Sequence, residues 1–389
     1  MIPQGILLLL FYLPLANYIM GLFARISNRV LFVINSIVVL AFLLACMNPY
    51  INPGEAPLLS LISLAFPFLL LLVIVFLIWW LFVRKKWALL SGIALLLGGG
   101  EITSFFAVNI FNSFDEKKEK DHVRVATWNV ARFIEMVKNN NMGSQTRYKM
   151  LKQIGQVNAD ILCFQEFSSS VRHDWYNNIV AVGKGLNYPY HYFSHEKDGD
   201  SLFNGSVIFS RFPIVDTGMV RFPRPTLPEA LVFTDIKLGE KMIRVYTTHL
   251  QSNQFRKEDL SKIEELKGIK GNVLGNARYI LSKLSVAITH RSIQADMISS
   301  IISNSPHPVI FCGDLNDVPN SYTYKTIKGD MQDAFLRKSF GVGRTYSSLS
   351  PTLRIDYILS DKNFGIEQCK RITTKSSDHY MVVADLKLK

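Results

Sequence analysis

The chain has 389 residues, of which 49% are hydrophobic, and it carries 43 Lys and Arg against 31 Asp and Glu. This length leaves room for more than one domain. The four cysteines argue against a zinc site, because none of them has the spacing of zinc ligands, and they do not indicate a redox compartment.

Charge divides the sequence into two parts near residue 115. Residues 1–110 hold five basic and two acidic residues, whereas the remainder holds 38 basic and 29 acidic ones. A positive balance favours an anionic substrate or surface, although an ordinary basic soluble domain shows the same balance. The two parts are therefore expected to be different domains.

The first 110 residues contain long apolar segments. Val30–Met47 and Leu58–Val83 are each long enough to cross a bilayer core as a helix. Trp87–Ile110 is a weaker candidate because glycines and Glu101 interrupt it. The run Ile6–Phe23 is a fourth span, a signal-like segment or an upstream extension of a protein that begins at Met20. Residues 1–110 are predicted to be a transmembrane region of three or four helices, and the bilayer is the one partner that they indicate.

Basic residues predict how this region is oriented. Arg25 and Arg29 precede the first strong span, and Arg84–Lys86 follow the second, whereas the link 48–57 has no Lys or Arg. Positive charge marks the cytoplasmic side, so the link is expected outside. If Trp87–Ile110 crosses the membrane, the C-terminal domain lies outside the cytoplasm, which is the expected location in this multi-pass protein. If it does not cross, that domain lies inside.

Residues 111–122 are charged and without pattern, as is typical of a linker, and alternating strands and helices follow in residues 123–389. The predicted strands are Val123–Val130, Asp160–Glu166, Ser206–Ser210, Leu231–Lys237, Met242–Leu250, Val309–Gly313, Arg354–Leu359 and Tyr380–Leu388. The predicted helices are Tyr148–Val157, 251–285 with a glycine break near Gly268–Gly275, and Arg291–Ile302. Many strands, with one hairpin among them, favour an α/β fold of two stacked sheets flanked by helices.

Polar side chains lie where the apolar strands end. They are all hydrogen-bond acceptors or imidazoles: Asn129, Glu166, His249, Asp314, Asn316, Asp356, Asp378 and His379. One such residue alone commonly begins a turn or caps a helix. Eight together indicate a single polar cleft, because strand ends at one edge of a sheet stack converge.

These residue types suit the hydrolysis of a phosphoester. Carboxylate oxygens such as those of Glu166 and Asp378 are ligands that Mg²⁺ prefers. A carboxylate can hold His379 in one tautomer and raise its basicity. Asp314 with Asn316 can position and activate the attacking water. The expected cofactor is therefore Mg²⁺, with Mn²⁺ as a substitute.

Six short motifs occur in a fixed order along about 270 residues. They are TWNV at 127–130, QE at 165–166, THL at 248–250, GDLND at 313–317, RIDY at 354–357 and SDH at 377–379. This set resembles the endonuclease/exonuclease/phosphatase superfamily, which includes proteins similar to deoxyribonuclease I, apurinic endonucleases, neutral sphingomyelinases and inositol polyphosphate phosphatases. The resemblance implies a four-layered α/β sandwich over residues 123–389 and a metal-dependent hydrolase.

The resemblance also implies roles for the matching residues. Glu166 would be the main metal ligand, with Asn129 and Asp378 near the metal, and Asn129 also near the phosphate. Asp356 would pair with His379, which acts on the phosphate. Asp314 would activate the nucleophile. His249 and Asn316 would act in catalysis and bind the substrate, and which group is the acid and which the base stays open.

Several functions remain open at this point. The first is a phosphodiesterase that acts on lipid headgroups, because a membrane anchor would hold the cleft beside its substrate. The second is a nuclease that acts on DNA or RNA, which the basic balance favours. An inositol polyphosphate-type phosphatase and a non-catalytic membrane receptor are further alternatives. No sequence feature indicates a protein partner.

Overall fold

The computed structural model describes residues 4–140, 142–226 and 229–389, with side chains from residue 25 onward. The chain forms two compact units that alternate along the sequence. The first unit consists of Met1–Met47 and Ala65–Gly100, and the second consists of Asn48–Leu64 and Glu101–Lys389.

The regular elements of the described residues are numbered in chain order. The helices are α1 (Gln4–Met47), α2 (Pro57–Ser60), α3 (Phe66–Val83), α4 (Lys85–Leu97), α5 (Gly99–Phe105), α6 (Thr146–Val157), α7 (Asn178–Gly183), α8 (Lys257–Lys267), α9 (Val273–Ser303), α10 (Tyr322–Lys328) and α11 (Ala334–Lys338). The strands are β1 (Ala107–Val108), β2 (Val123–Asn129), β3 (Ile161–Ser170), β4 (Tyr190–Phe193), β5 (Glu196–Asp198), β6 (Leu202–Ser210), β7 (Ile214–Arg221), β8 (Ala230–Leu238), β9 (Lys241–His249), β10 (Val309–Asp314), β11 (Gln332–Asp333), β12 (Phe340–Gly341), β13 (Asp356–Ser360), β14 (Phe364–Ile372) and β15 (Met381–Leu388).

Two stretches of the described residues, Arg25–Tyr50 and Pro57–Val83, are long and apolar enough to cross a membrane. The bent pair α4 and α5 makes a third if the two helices count as one span. The backbone of Ile6–Phe23 is part of α1, but its side chains lie outside the described residues. Whether that run is a separate span therefore stays a prediction.

The first unit buries a polar pair among apolar side chains such as Phe42 and Trp80, and it exposes other large apolar side chains. The buried Ser91 hydroxyl donates to the Oδ1 atom of the buried Asn35 at 3.0 Å. On the surface, Phe82 and Leu96 are more than 80% exposed. A water-soluble bundle has a mainly polar surface, whereas helices in lipid expose apolar residues and bury small and polar residues against one another. The packing of this unit therefore suits a lipid environment.

The second unit contains two stacked β-sheets. One has the strand order β14-β15-β2-β3-β6-β4 with β5 added on β6, and the other has the order β11-β13-β10-β9-β8-β7. Inward residues of both sheets, among them Val125, Cys163, Val245 and Cys312, form the core between them. Alternate residues of each strand face opposite ways, so Trp128 packs outward while Val125 packs inward.

Helices cover the outer face of each sheet. Ile154 of α6 and Val182 of α7 pack in one cluster with residues of β2 and β3. Ile298 of α9 and Ile327 of α10 pack in another with residues of β9, β10 and β13. The result is the predicted four-layered α/β sandwich.

The strands that the sequence misses lie at the sheet edges. β7 and β14 each end a sheet, and most residues of β7 are exposed or half-buried. An edge strand that faces solvent lacks the continuous apolar run by which a central strand is recognised. The predicted helical stretch 251–285 is confirmed from Lys257 onward, with α8 and α9 separated at the glycine-containing break. Residues 251–256 are not helical, and α9 continues through the predicted helix Arg291–Ile302.

The segment 48–64 packs on the sandwich. The amide of the buried Asn48 donates to the carbonyl oxygen of Asn320 at 3.3 Å, and the Lys325 ammonium lies 3.9 Å from the centre of the Tyr50 ring. The residues that follow α4 pack there as well, because Asn320 also donates to the carbonyl oxygen of Glu101 at 3.3 Å. Both chain segments are thus parts of the second unit.

A buried ion pair fastens β2 to β15. The Arg124 guanidinium donates to both carboxylate oxygens of Asp385 at 2.7 and 2.9 Å, and both side chains are almost fully buried. Its remaining N–H groups reach the carbonyl oxygens of Asp115 and Glu116 at 3.1 and 2.8 Å. The pair therefore also binds residues of the charged stretch 111–122 to the sheet.

Replacement of Asp385 by Ala leaves the Arg124 charge buried without a counter-ion. We expect the free energy of unfolding to fall by about 3–5 kcal/mol, measured by urea unfolding of the detergent-solubilised protein. The matched control is D216A, because Asp216 is 64% exposed and lies 3.9 Å from Arg244. This exposed pair should contribute less than about 1 kcal/mol, and equal losses in both variants would contradict the prediction.

Candidate active site

Four strands bring their polar ends to one edge of the sandwich. β2, β9 and β10 end at Asn129, His249 and Asp314. Asp314 is in register with His249 on the parallel strand β9 and with Asp356 at the start of the antiparallel strand β13. Parallel strands place their carboxyl ends at the same edge, and an antiparallel neighbour begins there. The structure thus brings together the strand ends that the sequence singled out.

The turn before β15 adds Asp378 and His379 to this edge. β15 runs antiparallel to β2, so its start lies beside the end of β2. The Trp128 indole N–H donates to the carbonyl oxygen of His379 at 3.0 Å, and the Ser377 hydroxyl donates to that of Asn129 at 2.9 Å. These two bonds hold the turn against β2.

Glu166 is aimed by an irregularity of β3. The register between β3 and β6 shifts between Phe164 and Phe167, and Glu166 has a φ of 46°. A positive φ is strained for a residue with a side chain and is found mostly where the surrounding structure enforces it. The Glu166 side chain is 39% exposed, which leaves its carboxylate open to the cleft.

Asp314 is the most enclosed group of the site. Its carboxylate is fully buried and accepts the Asn129 amide at 3.1 Å and the backbone N–H of Asn316 at 2.8 Å. Asn129 also donates to Glu166 at 3.2 Å, so one amide bridges two carboxylates. The Asn316 side chain donates to the carbonyl oxygen of Leu250 at 3.0 Å and is thereby fixed beside Asp314.

His379 pairs with Asp356, as the sequence predicts. Its Nδ1 atom lies 3.0 and 3.2 Å from the two Asp356 oxygens and 3.6 Å from Asp314. Burial by itself would lower the pKa of His379, but Asp356, Asp314 and Asp378 outweigh it and raise that pKa to about 10. The imidazole is therefore positively charged at neutral pH, with its Nδ1–H directed to Asp356.

His249 has a carboxylate partner that the sequence analysis did not identify. Its Nδ1 lies 3.1 Å from Glu229, and its Nε2 lies 3.6 Å from Asp314 and 3.8 Å from Glu166. Burial would lower the pKa of His249, but these carboxylates, Glu229 foremost, raise it to about 10. The sequence could have indicated this partner, because Glu229 directly precedes β8. The hairpin pairing of β8 with β9 brings Glu229 beside His249.

Two cavities meet at this row of residues, and Glu166, His249 and Ser252 line both of them. The first has a volume of about 350 Å³, and its other lining residues are Arg132, Ser194, Glu196, Asn204, Gly205, Ser206, Glu229 and Ala230. The second has a volume of about 310 Å³ and includes Asp314, Asn316, Asp378 and His379 among its lining residues. A substrate that lies across the row would have one part in each cavity.

The donor set fits a hard divalent cation. Asp314, Asp356 and His379 offer ligand-type atoms within 4.8 Å of one another. His379 and Asp356 already bond to each other, whereas Glu166 is open to the cleft. The Oδ1 atom of Asn129 accepts the Ala131 N–H at 3.0 Å, so the side chain presents its amide nitrogen to the carboxylates. Oxygen ligands without thiolates suit Mg²⁺ or Mn²⁺.

Four further polar or small residues lie beside the two cavities or secure the chain next to them. Arg291 donates to Asp317 at 3.2 Å and to the carbonyl oxygen of Gln251 at 2.9 Å, and it also lines the second cavity. Gln294 accepts the backbone N–H of Gln251 at 2.9 Å, so both residues secure the chain after β9. Asn204 and Gly205 lie within β6 and line the first cavity.

A family model described as the Endonuclease/Exonuclease/phosphatase family matches residues 126–379. Because the match spans more than half of the sequence, the chain belongs to this family, and this membership indicates a phosphoester hydrolase. A second model, described as a domain of unknown function, matches residues 28–105. No curated protein matches the chain.

Solved structures with a similar fold have low sequence identity. An endonuclease/exonuclease/phosphatase from Beutenbergia cavernae is 17% identical, with a TM-score of 0.49 and coverage of 69% of this chain and 72% of its own. The human Nocturnin catalytic domain is 17% identical, with a TM-score of 0.49 and coverage of 73% and 99%. Sphingomyelinase C from Streptomyces griseocarneus is 18% identical, with a TM-score of 0.43 and coverage of 68% and 99%.

Replacement of Glu229 by Gln removes the charge that orients His249. We expect kcat for a soluble phosphodiester such as bis(p-nitrophenyl) phosphate to fall about 10–100-fold with little change in KM, as for other groups that orient a functional imidazole. The control is E196Q, because Glu196 lines the same cavity but pairs with Arg221 at 2.8 Å. Equal activity of the two variants would show that Glu229 does not position His249.

Proposed function

We propose that the protein is a metal-dependent phosphodiesterase that N-terminal helices anchor in the membrane, with its catalytic domain outside the cytoplasm. The observation that supports the reaction best is the position of Asp314. This buried carboxylate lies 3.6 Å from each of two imidazoles, and each imidazole has its own carboxylate partner.

The arrangement accounts for each requirement of phosphodiester hydrolysis. The positive charges of His249 and His379 would neutralise the phosphate, and Asp314 would take the proton of the attacking water, which Asn316 orients. One of the two imidazolium groups would protonate the leaving oxygen. Glu166, with Asp378, would hold a divalent cation, which supplies further charge neutralisation and activates bound water.

Two alternatives are disfavoured. A non-catalytic receptor would not need Glu166, Asp314 and His379 together, yet all three lie in one cleft. An inositol polyphosphate-type phosphatase would need several Lys or Arg side chains to bind the phosphate groups of its substrate. Among the described residues that line the two cavities, two are Lys or Arg, namely Arg132 and Arg291. Arg291 is already paired with Asp317.

Chain connectivity supports the proposed location outside the cytoplasm. Residues 48–64 and 101–389 fold as one unit, so they lie on the same side of a membrane. If α3 crosses the membrane, the chain reaches the opposite side at Arg84–Lys86. The helices α4 and α5 must then return the chain to the side of residues 48–64. The basic residues mark that other side as cytoplasmic. Three crossings in the described residues would place the catalytic domain on the outer side.

Replacement of His379 by Ala is expected to lower kcat for bis(p-nitrophenyl) phosphate by about 10²–10⁴-fold, because a charged group at the phosphate is lost. The control is H307A, because His307 directly precedes Pro308 and the start of β10, at the opposite end of that strand from Asp314.

EDTA should abolish the activity, and Mg²⁺ or Mn²⁺ should restore it. Full activity in EDTA would refute the metal, and full activity of H379A would refute the proposed site.

The orientation is tested by cysteine labelling with a membrane-impermeant maleimide in intact cells. We expect E55C, in the link, and E240C, in the β8–β9 turn, to be labelled. K86C should react only after the cells are permeabilised, because positive charge is retained in the cytoplasm. The unsubstituted protein serves as the control, because it measures the background labelling of the four native cysteines. Labelling of K86C and E240C from the same side would contradict three crossings.

A further inference from the structure

The second cavity has an apolar wall beside the catalytic row. Its apolar lining residues are Leu64, Phe255, Leu260, Leu284, Val318, Leu349, Leu353 and Ile355. Leu260 is 44% exposed and Leu349 is 37% exposed, so the wall is open to solvent in the described structure. Exposed apolar side chains that border a cleft are typical of a surface that binds an apolar partner.

One member of this wall comes from the segment between two apolar helices. Leu64 is the last residue of the segment 48–64, and Ala65 and the apolar helix α3 follow it directly in the chain. The segment is held to the sandwich by the bonds of Asn48 and Tyr50 described above. The wall is therefore covalently continuous with a helix that can cross a membrane.

The first cavity has the opposite character. Its lining includes the carboxylates of Glu166, Glu196 and Glu229, and Arg132 is the one Lys or Arg among its described lining residues. Arg132 and a divalent cation at Glu166 would together only balance these three carboxylates, so the His249 imidazole would be the one source of net positive charge in this lining. It therefore suits a neutral or zwitterionic group and disfavours a polyanion.

The same charge pattern disfavours a nucleic acid. A protein that tracks a phosphate backbone places several Lys or Arg residues along its groove. In the described lining of the two cavities, the positive charges are the two catalytic imidazoles, Arg132 and the paired Arg291. The basic excess of the sequence thus lies largely outside the cleft.

We infer that the substrate is a phospholipid with a neutral or zwitterionic headgroup, which lies in the first cavity while the lipid part contacts the apolar wall. This inference rests on the proposed phosphodiesterase function. Water adds to phosphorus, the bond from phosphorus to one ester oxygen breaks, and that oxygen takes a proton. The products are one alcohol and one phosphomonoester.

The test compares substrates with the full-length protein in detergent. Micelles of phosphatidylcholine, micelles of phosphatidylinositol 4,5-bisphosphate, single-stranded oligonucleotides and bis(p-nitrophenyl) phosphate are assayed with Mg²⁺. We expect phosphatidylcholine to have the highest kcat/KM of the three biological substrates. Preference for the oligonucleotide or the polyanionic lipid would overturn the inference but leave the hydrolase intact. Lack of hydrolysis of every substrate, including the soluble diester, would overturn both.

Variants of the wall test its role directly. For L64N and L260N, we expect the ratio of kcat/KM for phosphatidylcholine to kcat/KM for the soluble diester to fall at least about tenfold, because each removes apolar contact area. The matched control is L274N, because Leu274 is 85% exposed and is not among the lining residues. An unchanged ratio in L64N and L260N, or an equal fall in L274N, would overturn the inference.

Discussion

The burial of Asp314 is the constraint on which the site depends. Its carboxylate is fully buried, so it is stable only where hydrogen bonds and positive charges surround it. Asn129 from one sheet and the backbone of Asn316 supply hydrogen bonds, and His249 and His379 supply positive charge. The ends of both sheets must therefore meet at this point, and the proposed active cleft lies where they do.

The two imidazoles are balanced in the same way. Each is buried, which disfavours its charged form, and each has a carboxylate at 3.0–3.1 Å that restores it. In the proposed function, the two positive charges are already in place for an anionic phosphate and need no reorganisation when it binds. The bonds of Asp356 and Glu229 fix the rings, so the groups that face the substrate do not have to be ordered by it.

The second unit is discontinuous in sequence. Residues 48–64 pack on the sandwich and supply Leu64 to the cleft, although Ala65–Gly100 belongs to another unit. A fragment that begins near residue 115 would lack this part of the wall. The segment that joins two of the apolar helices in sequence is therefore also part of the proposed substrate site.

The sequence by itself determined the layered α/β fold, the central strands and seven of the polar strand ends as parts of one cleft, because buried strands and their polar termini leave a local pattern. Asn316 was recognised as well, since it follows Asp314 by two residues. Only the tertiary structure decided the partner of His249, the edge strands and the apolar wall. Glu229 lies outside the motifs and meets His249 through the pairing of β8 with β9, whereas Leu64 comes from a segment far from the motifs along the chain. Such contacts leave no periodic signal in the sequence.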